Sequence, residues 1–204
     1  MSNTPRVFIV DDQPSMLKAI SRALGLAGFD TVPFASAHEF LESDNAAAPG
    51  CIVLDLTMPD MDGLSLQQAL AARASLLPVI FLTGDADIAT SVRAMKLGAF
   101  DFLTKPVKSA ELVAAVRDAF ARNVELRAAR AESDDILGRL ASLTPREQDV
   151  LARIVDGKLN KQVAAELGTV EQTVKVHRAR VMEKMKAGSL AELVRMVDRA
   201  GPRS

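Results

Sequence analysis

Five short apolar runs alternate with longer stretches of helical periodicity through residues 6–133. Continuous apolar runs of this length are typical of strands that are buried on both faces of a parallel sheet. The helical stretches between them have the length of crossover helices. We therefore predict a parallel five-stranded α/β sheet with helices on both faces. The strands are predicted at residues 6–10, 31–34, 51–54, 79–82 and 100–103.

Proline and apolar spacing refine this picture. Pro33 lacks a backbone N–H, so we expect the second strand at an edge of the sheet. The fourth helix is predicted to place Ile88, Val92 and Met95 on its inner face and to end at Gly98.

The helix predicted from Ser109 continues unusually far. Apolar residues keep an approximate helical spacing as far as Ile136, and no proline or glycine interrupts the pattern before Gly138. We predict a helix that outlasts its own domain and connects it to the next. The alternative is a helix of ordinary length followed by a loose linker from about Asn123.

Closely spaced start and stop signals divide residues 142–204 into four short helices. The first begins with a capping box at Thr144. Asn160 is predicted to cap the second helix, and a capping box at residues 169–172 is predicted to open the third. The second and third helices, joined by a turn at Gly168, have the proportions of a helix-turn-helix.

Length and composition point to two globular domains. The 204 residues exceed the usual size of one domain, and 49% hydrophobic with 25% charged residues is typical of globular proteins. Cys51 is the only cysteine, which excludes an internal disulfide framework. No apolar run approaches the roughly 20 residues of a membrane helix. Residues 1–5 are polar and show no signal peptide, so we expect a cytoplasmic protein without membrane partners.

The net charge of −1 conceals an asymmetry along the chain. Residues 1–108 carry 8 Lys and Arg against 12 Asp and Glu, whereas residues 141–204 carry 12 against 8. An acidic first half and a basic tail indicate that only the tail meets a polyanion. The alternative is a chance distribution over solvated faces.

Polar side chains with related chemistry follow four of the predicted strands. They are Asp11, Asp12, Asp55, Thr83 and Lys105. The carboxyl ends of parallel strands meet at one edge of the sheet, where ligands bind. Clustered carboxylates repel one another and call for a hard cation, for which Mg²⁺ is suited. A carboxylate can accept a phosphoryl group, whose charge a lysine and a hydroxyl can neutralise and hydrogen-bond. For any one of these five residues taken alone, the alternative is a purely structural role as a helix cap or turn residue.

This arrangement resembles the receiver domain of two-component response regulators across residues 4–122. The matching motifs are Asp11-Asp12, Asp55 with Met58-Pro59 and Asp62-Gly63, Thr83-Gly84, and Phe102-Leu103-Thr104-Lys105-Pro106. The resemblance implies a flavodoxin-like (βα)5 fold, a sensor histidine kinase as phosphodonor and Mg²⁺ as cofactor. It also implies that Asp55 is the phosphoacceptor. The implied Mg²⁺ ligands are Asp12, Asp55 and the carbonyl of Thr57, with Asp11 acting through water. The implied phosphate-sensing pair is Thr83 and Lys105, with Phe102 as an aromatic switch.

The tail resembles the LuxR-type helix-turn-helix across residues 142–204. The matching segments are residues 143–151, 157–164 and 173–177. Read with the receiver, the domain order is similar to the FixJ branch of response regulators. The resemblance implies binding to promoter DNA, with Lys175 and Val176 facing base edges. The predicted DNA-binding residues are Thr173, Lys175, Val176, Arg178 and Lys184. From composition alone, a plain solvated face is the alternative.

The complete prediction is a receiver at 1–122, a helical linker at 123–141 and a four-helix DNA-binding domain at 142–204. Phosphorylation adds negative charge at Asp55. We expect this charge to pair receivers as a symmetric homodimer through the surface with Val92, Lys96, Asp101 and Phe102. Two tethered DNA-binding domains then gain effective concentration at paired half-sites. RNA polymerase is a candidate further partner.

Two other functional classes are compatible with parts of the sequence. One is a Mg²⁺-dependent phosphatase with Asp55 as a transient nucleophile. Such enzymes usually carry Asp two residues after the nucleophile, and Thr57 in this place disfavours that class. The other is an interaction module whose basic helix contacts protein. We therefore predict a transcription factor and not an enzyme.

Overall fold

The computed structural model describes residues 6–84 and 88–201, without the side chains of residues 88–90. Two predictions concern parts of the chain outside this description. They are the polar N-terminus at residues 1–5 and the side chain of Ile88 on the inner face of the fourth helix. The chain divides into two compact units, Met1–Arg127 and Ala128–Ser204. Among the described helices, none is long and apolar enough to span a bilayer.

The first unit is built on a parallel five-stranded sheet with the order β2-β1-β3-β4-β5. Its strands are β1 (Arg6–Val10), β2 (Thr31–Phe34), β3 (Gly50–Asp55), β4 (Val79–Thr83) and β5 (Asp101–Thr104). Every neighbouring pair runs parallel. The predicted α/β fold class is therefore confirmed. Pro33 lies on β2 at the edge of the sheet, as its missing N–H requires.

Helices cover both faces of this sheet and enclose two apolar layers. They are α1 (Pro14–Leu26), α2 (Ala37–Glu42), α3 (Gly63–Ala72), α4 (Ile88–Lys96) and α5 (Ser109–Ala141), with a short 3-10 helix at Asp44–Ala47. The central strand β3 is buried along its whole length, as its continuous apolar run predicts.

The predicted inner face of α4 is wrong. Val92 and Met95 are 45% and 49% exposed, and among the described side chains of this helix, at residues 91–96, Ala94 is the buried one. A small side chain at the contact lets the short helix lie close to the sheet. At its end, the Gln67 side-chain amide donates to the Leu97 carbonyl over 3.2 Å. Apolar surface of α4 is consequently left in solvent.

The α5 helix is continuous over 33 residues, so the prediction of a long connecting helix is confirmed against a loose linker. Its two parts belong to different compact units, which divide after Arg127. The division falls inside the segment 123–141 that was predicted as a linker. Asn123 is buried in the first unit, whereas Ile136 belongs to the core of the second.

The described part of the second unit, up to residue 201, contains four helices after α5. They are α6 (Pro145–Val155), α7 (Asn160–Glu166), α8 (Glu171–Met185) and α9 (Leu190–Arg199). Their inward residues form a single apolar cluster that includes Val150, Ile154, Val163, Val174 and Val181. The predicted all-α unit is confirmed.

The predicted helix starts in this unit are only partly correct. The capping box at Thr144 is present, with the hydroxyl accepting from the Glu147 N–H. Asn160 is not a cap, because Leu159 occupies that position and Asn160 is the first helical residue. The predicted capping box at residues 169–172 is also wrong, since Val170 precedes α8 without a side-chain cap. The residue that precedes each of these helices, Leu159 or Val170, is apolar and mostly exposed to solvent.

Candidate phosphoryl and DNA-binding sites

Three carboxylates converge at the carboxyl ends of β1 and β3. These strands are neighbours in the sheet, so Asp11 and Asp12 after β1 lie beside Asp55 at the end of β3. One oxygen of each carboxylate lies within 4.8 Å of the others. Asp11 and Asp55 are buried, and Asp12 is partly exposed. The strand ends thus bring these predicted residues together.

The donor set fits a hard divalent cation. Three carboxylates present only oxygen ligands, which Mg²⁺ prefers, and their mutual repulsion needs a positive charge. Oδ1 of Asp12 is buried and has no hydrogen-bond partner in the protein. A buried carboxylate oxygen without a partner is costly. A cation at this point would satisfy it.

Lys105 lies over two of these carboxylates. Its ammonium nitrogen is 2.8 Å from Oδ2 of Asp11 and 3.3 Å from Oδ1 of Asp55. The β5 strand places it there, because the Lys105 backbone N–H donates to the Thr83 carbonyl over 2.7 Å. Thr83 is buried at the end of β4. The strand ends therefore gather all five residues singled out from the sequence.

The environment of Asp55 opposes its ionisation. Burial raises the pKa of the Asp55 carboxyl, and the negative charge of Asp11 acts in the same direction. Lys105 lowers this pKa through its charge and hydrogen bond, as does the Thr57 backbone N–H, but burial prevails. Burial and the neighbouring Asp11 therefore disfavour a bare negative charge on Asp55.

Gly63 allows the start of α3 to lie directly against the end of β3. The Gly63 N–H donates to the Leu56 carbonyl over 2.9 Å. A Cβ at this position would lie 2.4 Å from the Asp55 carbonyl oxygen and 2.9 Å from the ring of Phe81. Only glycine fits this approach. Asp62 then caps α3 by accepting from the Ser65 N–H over 2.7 Å.

The remaining predicted receiver residues lie on the surface or at its margin. Thr57 is exposed two residues after Asp55. Phe102 is partly buried, with its ring centroid 6.1 Å from that of Phe81. The predicted dimer residues Val92 and Lys96 are exposed on α4. Asp101, on β5, is partly buried and accepts from the Phe102 N–H over 2.8 Å.

In the second unit, α8 carries the predicted DNA-binding residues, and they differ in environment. Lys175 and Val176 are exposed, with Lys175 Nζ 3.2 Å from Glu171. Thr173 is partly buried. Arg178 donates to the Asn160 side-chain carbonyl over 3.1 Å.

Lys184 is set apart from these residues. Its ammonium donates to Oε2 of Glu147 over 2.6 Å and to the Ser142 carbonyl over 3.1 Å. Glu147 is buried in the first turn of α6, and Ser142 lies in the connection that precedes this helix. The structure does not bring Lys184 together with Lys175 and Val176.

Three polar residues were missed by the sequence reasoning. Asn123 is buried on α5 and bridges the Gly50 N–H and the Leu76 carbonyl. Glu147 is 3% exposed, although its capping pattern predicts only a surface bond. Arg139 on α5 donates to the Met185 carbonyl. For Asn123 and Arg139, the only signal in the sequence was the wide apolar stripe of α5, which polar residues interrupt.

Comparison with known proteins assigns a family profile to each of the two units. Residues 7–117 match the profile of the response regulator receiver domain. Residues 141–197 match that of the bacterial regulatory proteins of the luxR family. Together these matches cover both compact units.

Curated relatives match along nearly the whole chain. Nodulation protein W of Bradyrhizobium diazoefficiens is 43% identical over 195 residues, covering 96% of this chain and 86% of that protein. Transcriptional regulatory protein FixJ of the same species is 38% identical over 201 residues, covering 98% of both. FixJ is by its name a transcriptional regulatory protein, and the phosphatase alternative finds no support in these matches.

Solved structures give the same answer. The response regulator StyR superposes with a TM-score of 0.82 at 43% identity, over 96% of this chain and 98% of that one. Full-length FixJ from B. japonicum gives 0.60 at 38% identity, over 98% of both chains. The chain therefore belongs to the two-component response regulators, in the group that joins a receiver domain to a LuxR-type DNA-binding domain.

Proposed function

We propose that Asp55 is the phosphoacceptor of a transcription factor whose DNA binding is switched by phosphorylation. The supporting observation is the convergence of three carboxylates and Lys105 at the strand ends, in a chain whose second unit is of the LuxR type. Switching by phosphorylation is the mechanism of this family. The proposed phosphodonor is a sensor histidine kinase.

In the transfer, an Asp55 carboxylate oxygen forms a bond to phosphorus. The bond from phosphorus to the donor's imidazole nitrogen breaks, and the electron pair returns to that nitrogen. Lys105 lies 3.3 Å from Asp55 and would neutralise charge on the transferred group. Thr83, at the adjacent strand end, would hydrogen-bond one of its oxygens.

We propose Mg²⁺ as the resident cation. Asp12, Asp55 and the Thr57 carbonyl would ligate it, and Asp11 would act through water. The unpartnered Asp12 oxygen supports this assignment. When bound, Mg²⁺ would neutralise the carboxylates and the phosphoryl oxygens.

The proposed switch runs from Asp55 to the α4–β5 surface. Phosphorylation adds about −1.5 to −2 charge. Thr83 and Lys105 would move toward it, and Phe102 would pack inward. The exposed apolar side chain of Val92, with Lys96 and Asp101 nearby in the fold, would then form a symmetric dimer contact.

Dimerisation would place two α8 helices on paired half-sites of promoter DNA. Lys175 and Val176 are proposed to face base edges, with Thr173 and Arg178 beside them. Their exposure on α8 supports this for the first two. A contact with RNA polymerase and a cytoplasmic location complete the proposal.

Analytical ultracentrifugation with beryllofluoride and Mg²⁺ tests acceptor and switch together. We expect the mass of the wild-type protein to double and that of Asp55→Asn to stay unchanged. Asp60→Asn is a matched control, because Asp60 is an exposed turn residue with a φ of 66° that asparagine also tolerates. Equal masses of the wild type and Asp55→Asn under these conditions would refute the proposed switch.

A further inference from the structure

The end of α8 is attached to the end of α5. Nη1 of Arg139 donates to the carbonyl of Met185, the last residue of α8, over 3.0 Å. The last carbonyls of a helix have no partner within the helix, and a cation is favourable there. The Arg139 side chain is only 23% exposed and is also held by Asp135. The guanidinium is therefore fixed between the two helices.

A second attachment lies one residue away on α8. Lys184 donates to Glu147 over 2.6 Å and to the Ser142 carbonyl over 3.1 Å. Glu147 is 3% exposed and also accepts from the Thr144 N–H over 2.8 Å. Removing the lysine would leave a carboxylate buried without its cation, which is costly. We call Arg139, Lys184 and Glu147 the C-terminal clamp.

The clamp acts on the helix that carries the exposed Lys175 and Val176. Midway along its length, α8 is joined to α7 through Arg178 and Asn160. Functional side chains need support that holds them within roughly 0.5 Å of their working geometry. Without the clamp, the bond at Arg178 would leave the C-terminal half of α8 with more freedom to tilt.

We propose that Arg139 and Lys184 are positioning residues for DNA recognition, and that neither contacts DNA. The clamp fixes the tilt of α8 in the groove, so the last turn of α5 is a working part of the DNA-binding unit. This inference rests on the proposed DNA binding. It assigns Lys184 a role other than the phosphate contact that its charge alone indicates.

The test measures affinity of the full-length protein, activated with beryllofluoride, for two DNA duplexes. One is a duplex that the wild-type protein selects from a random pool, and the other is its scrambled sequence. The variants are Lys184→Met, Lys184→Arg and Arg139→Gln. Arg130→Gln is the matched control, because Arg130 lies on the same helix and, among the residues that the structure describes, pairs only with Asp134 on the surface. Circular dichroism verifies that each variant is folded.

We expect Lys184→Met and Arg139→Gln to weaken binding to the selected duplex on the order of ten-fold. Binding to the scrambled duplex and the slope of log K against log salt stay as in the wild type. Lys184→Arg restores most of the affinity. Arg130→Gln has no effect.

A phosphate contact gives a different result. If Lys184→Met weakens binding to both duplexes equally and reduces the salt slope by about one, the clamp is refuted for this residue. Unchanged affinity refutes it as well. If Lys184→Met does not fold, the result for Arg139→Gln tests the clamp, because this variant leaves the ion pair between Lys184 and Glu147 intact. A wild-type protein without preference for any duplex refutes the DNA-binding proposal instead.

Discussion

Nζ of Lys105 lies 3.3 Å from Oδ1 of Asp55, across the ends of two strands that are not neighbours in the sheet. The same ammonium is 2.8 Å from Asp11. One cation therefore serves two buried carboxylates, and a third carboxylate, Asp12, has an oxygen without a partner. This shortage of positive charge explains why the site would take up a divalent cation.

Mg²⁺ should stabilise the receiver. We expect about 2.7 kcal/mol of added stability when the cation is present at about 100 times its dissociation constant. Asp12→Asn should lose most of this gain and be more stable than the wild type in chelator, because a repelling charge is gone. Urea unfolding, monitored by hydrogen exchange with mass spectrometry, measures the stability of each unit separately. Equal Mg²⁺ stabilisation of Asp12→Asn would contradict the assignment, and Asp60→Asn is the control.

Gly63→Ala should destabilise the receiver by about 1–3 kcal/mol, because the added Cβ would overlap the Asp55 carbonyl. Gly138→Ala provides the contrast, since a Cβ at that helical position meets nothing within 4 Å. It should add about 0.5–1 kcal/mol through helix propensity. Urea unfolding monitored by circular dichroism measures both changes, since the chain has no Trp or Tyr for fluorescence. A neutral Gly63→Ala would show that the loop relaxes freely.

Asn123→Ala should cost about 1–3 kcal/mol for each backbone group left buried without a partner. The groups are the Gly50 N–H and the Leu76 carbonyl, which Asn123 bonds at 3.0 and 2.6 Å. Glu125→Ala, at an exposed position of the same helix, is the control. Faster hydrogen exchange at the start of β3 in Asn123→Ala alone would verify the role. Identical exchange in both variants would exclude it.

The DNA-binding unit should lose stability in acid through Glu147. The hydrogen bonds from Lys184 and the Thr144 N–H lower the pKa of this carboxyl from 4.5 to about 2. A carboxyl whose pKa is lowered by folding stabilises the fold above its unfolded pKa, and this is lost as the pH falls from about 4.5 to about 2.

Glu147→Gln should therefore be less stable at neutral pH and less sensitive to acid across this window. Thermal unfolding by circular dichroism against pH measures it. Glu183→Gln, exposed on α8, is the matched control. A wild-type profile as flat as that of Glu147→Gln would contradict the lowered pKa.

The sequence predicts the sheet and the convergence of the carboxylates because both follow from strand periodicity. A buried strand such as β3 needs a continuous apolar run, and parallel strands end at a common edge. Asp55 and Lys105 can therefore be brought together from the sequence alone.

The rest depends on tertiary contacts that periodicity does not contain. Leu159 and Val170 precede α7 and α8 although both are poor caps, because packing of the helices sets where they begin. Lys184 looks like any basic residue of a polar face until the fold brings it to Glu147. Val92 follows the apolar pattern of α4, yet Ala94 makes the buried contact.

The most direct test of the central claim is the intact mass of the protein after incubation with acetyl phosphate. We predict that the wild type and Asp60→Asn each gain one phosphoryl group in Mg²⁺ and none in chelator, and that Asp55→Asn gains none in either. A phosphoryl group on Asp55→Asn in the same yield as on the wild type would contradict the account.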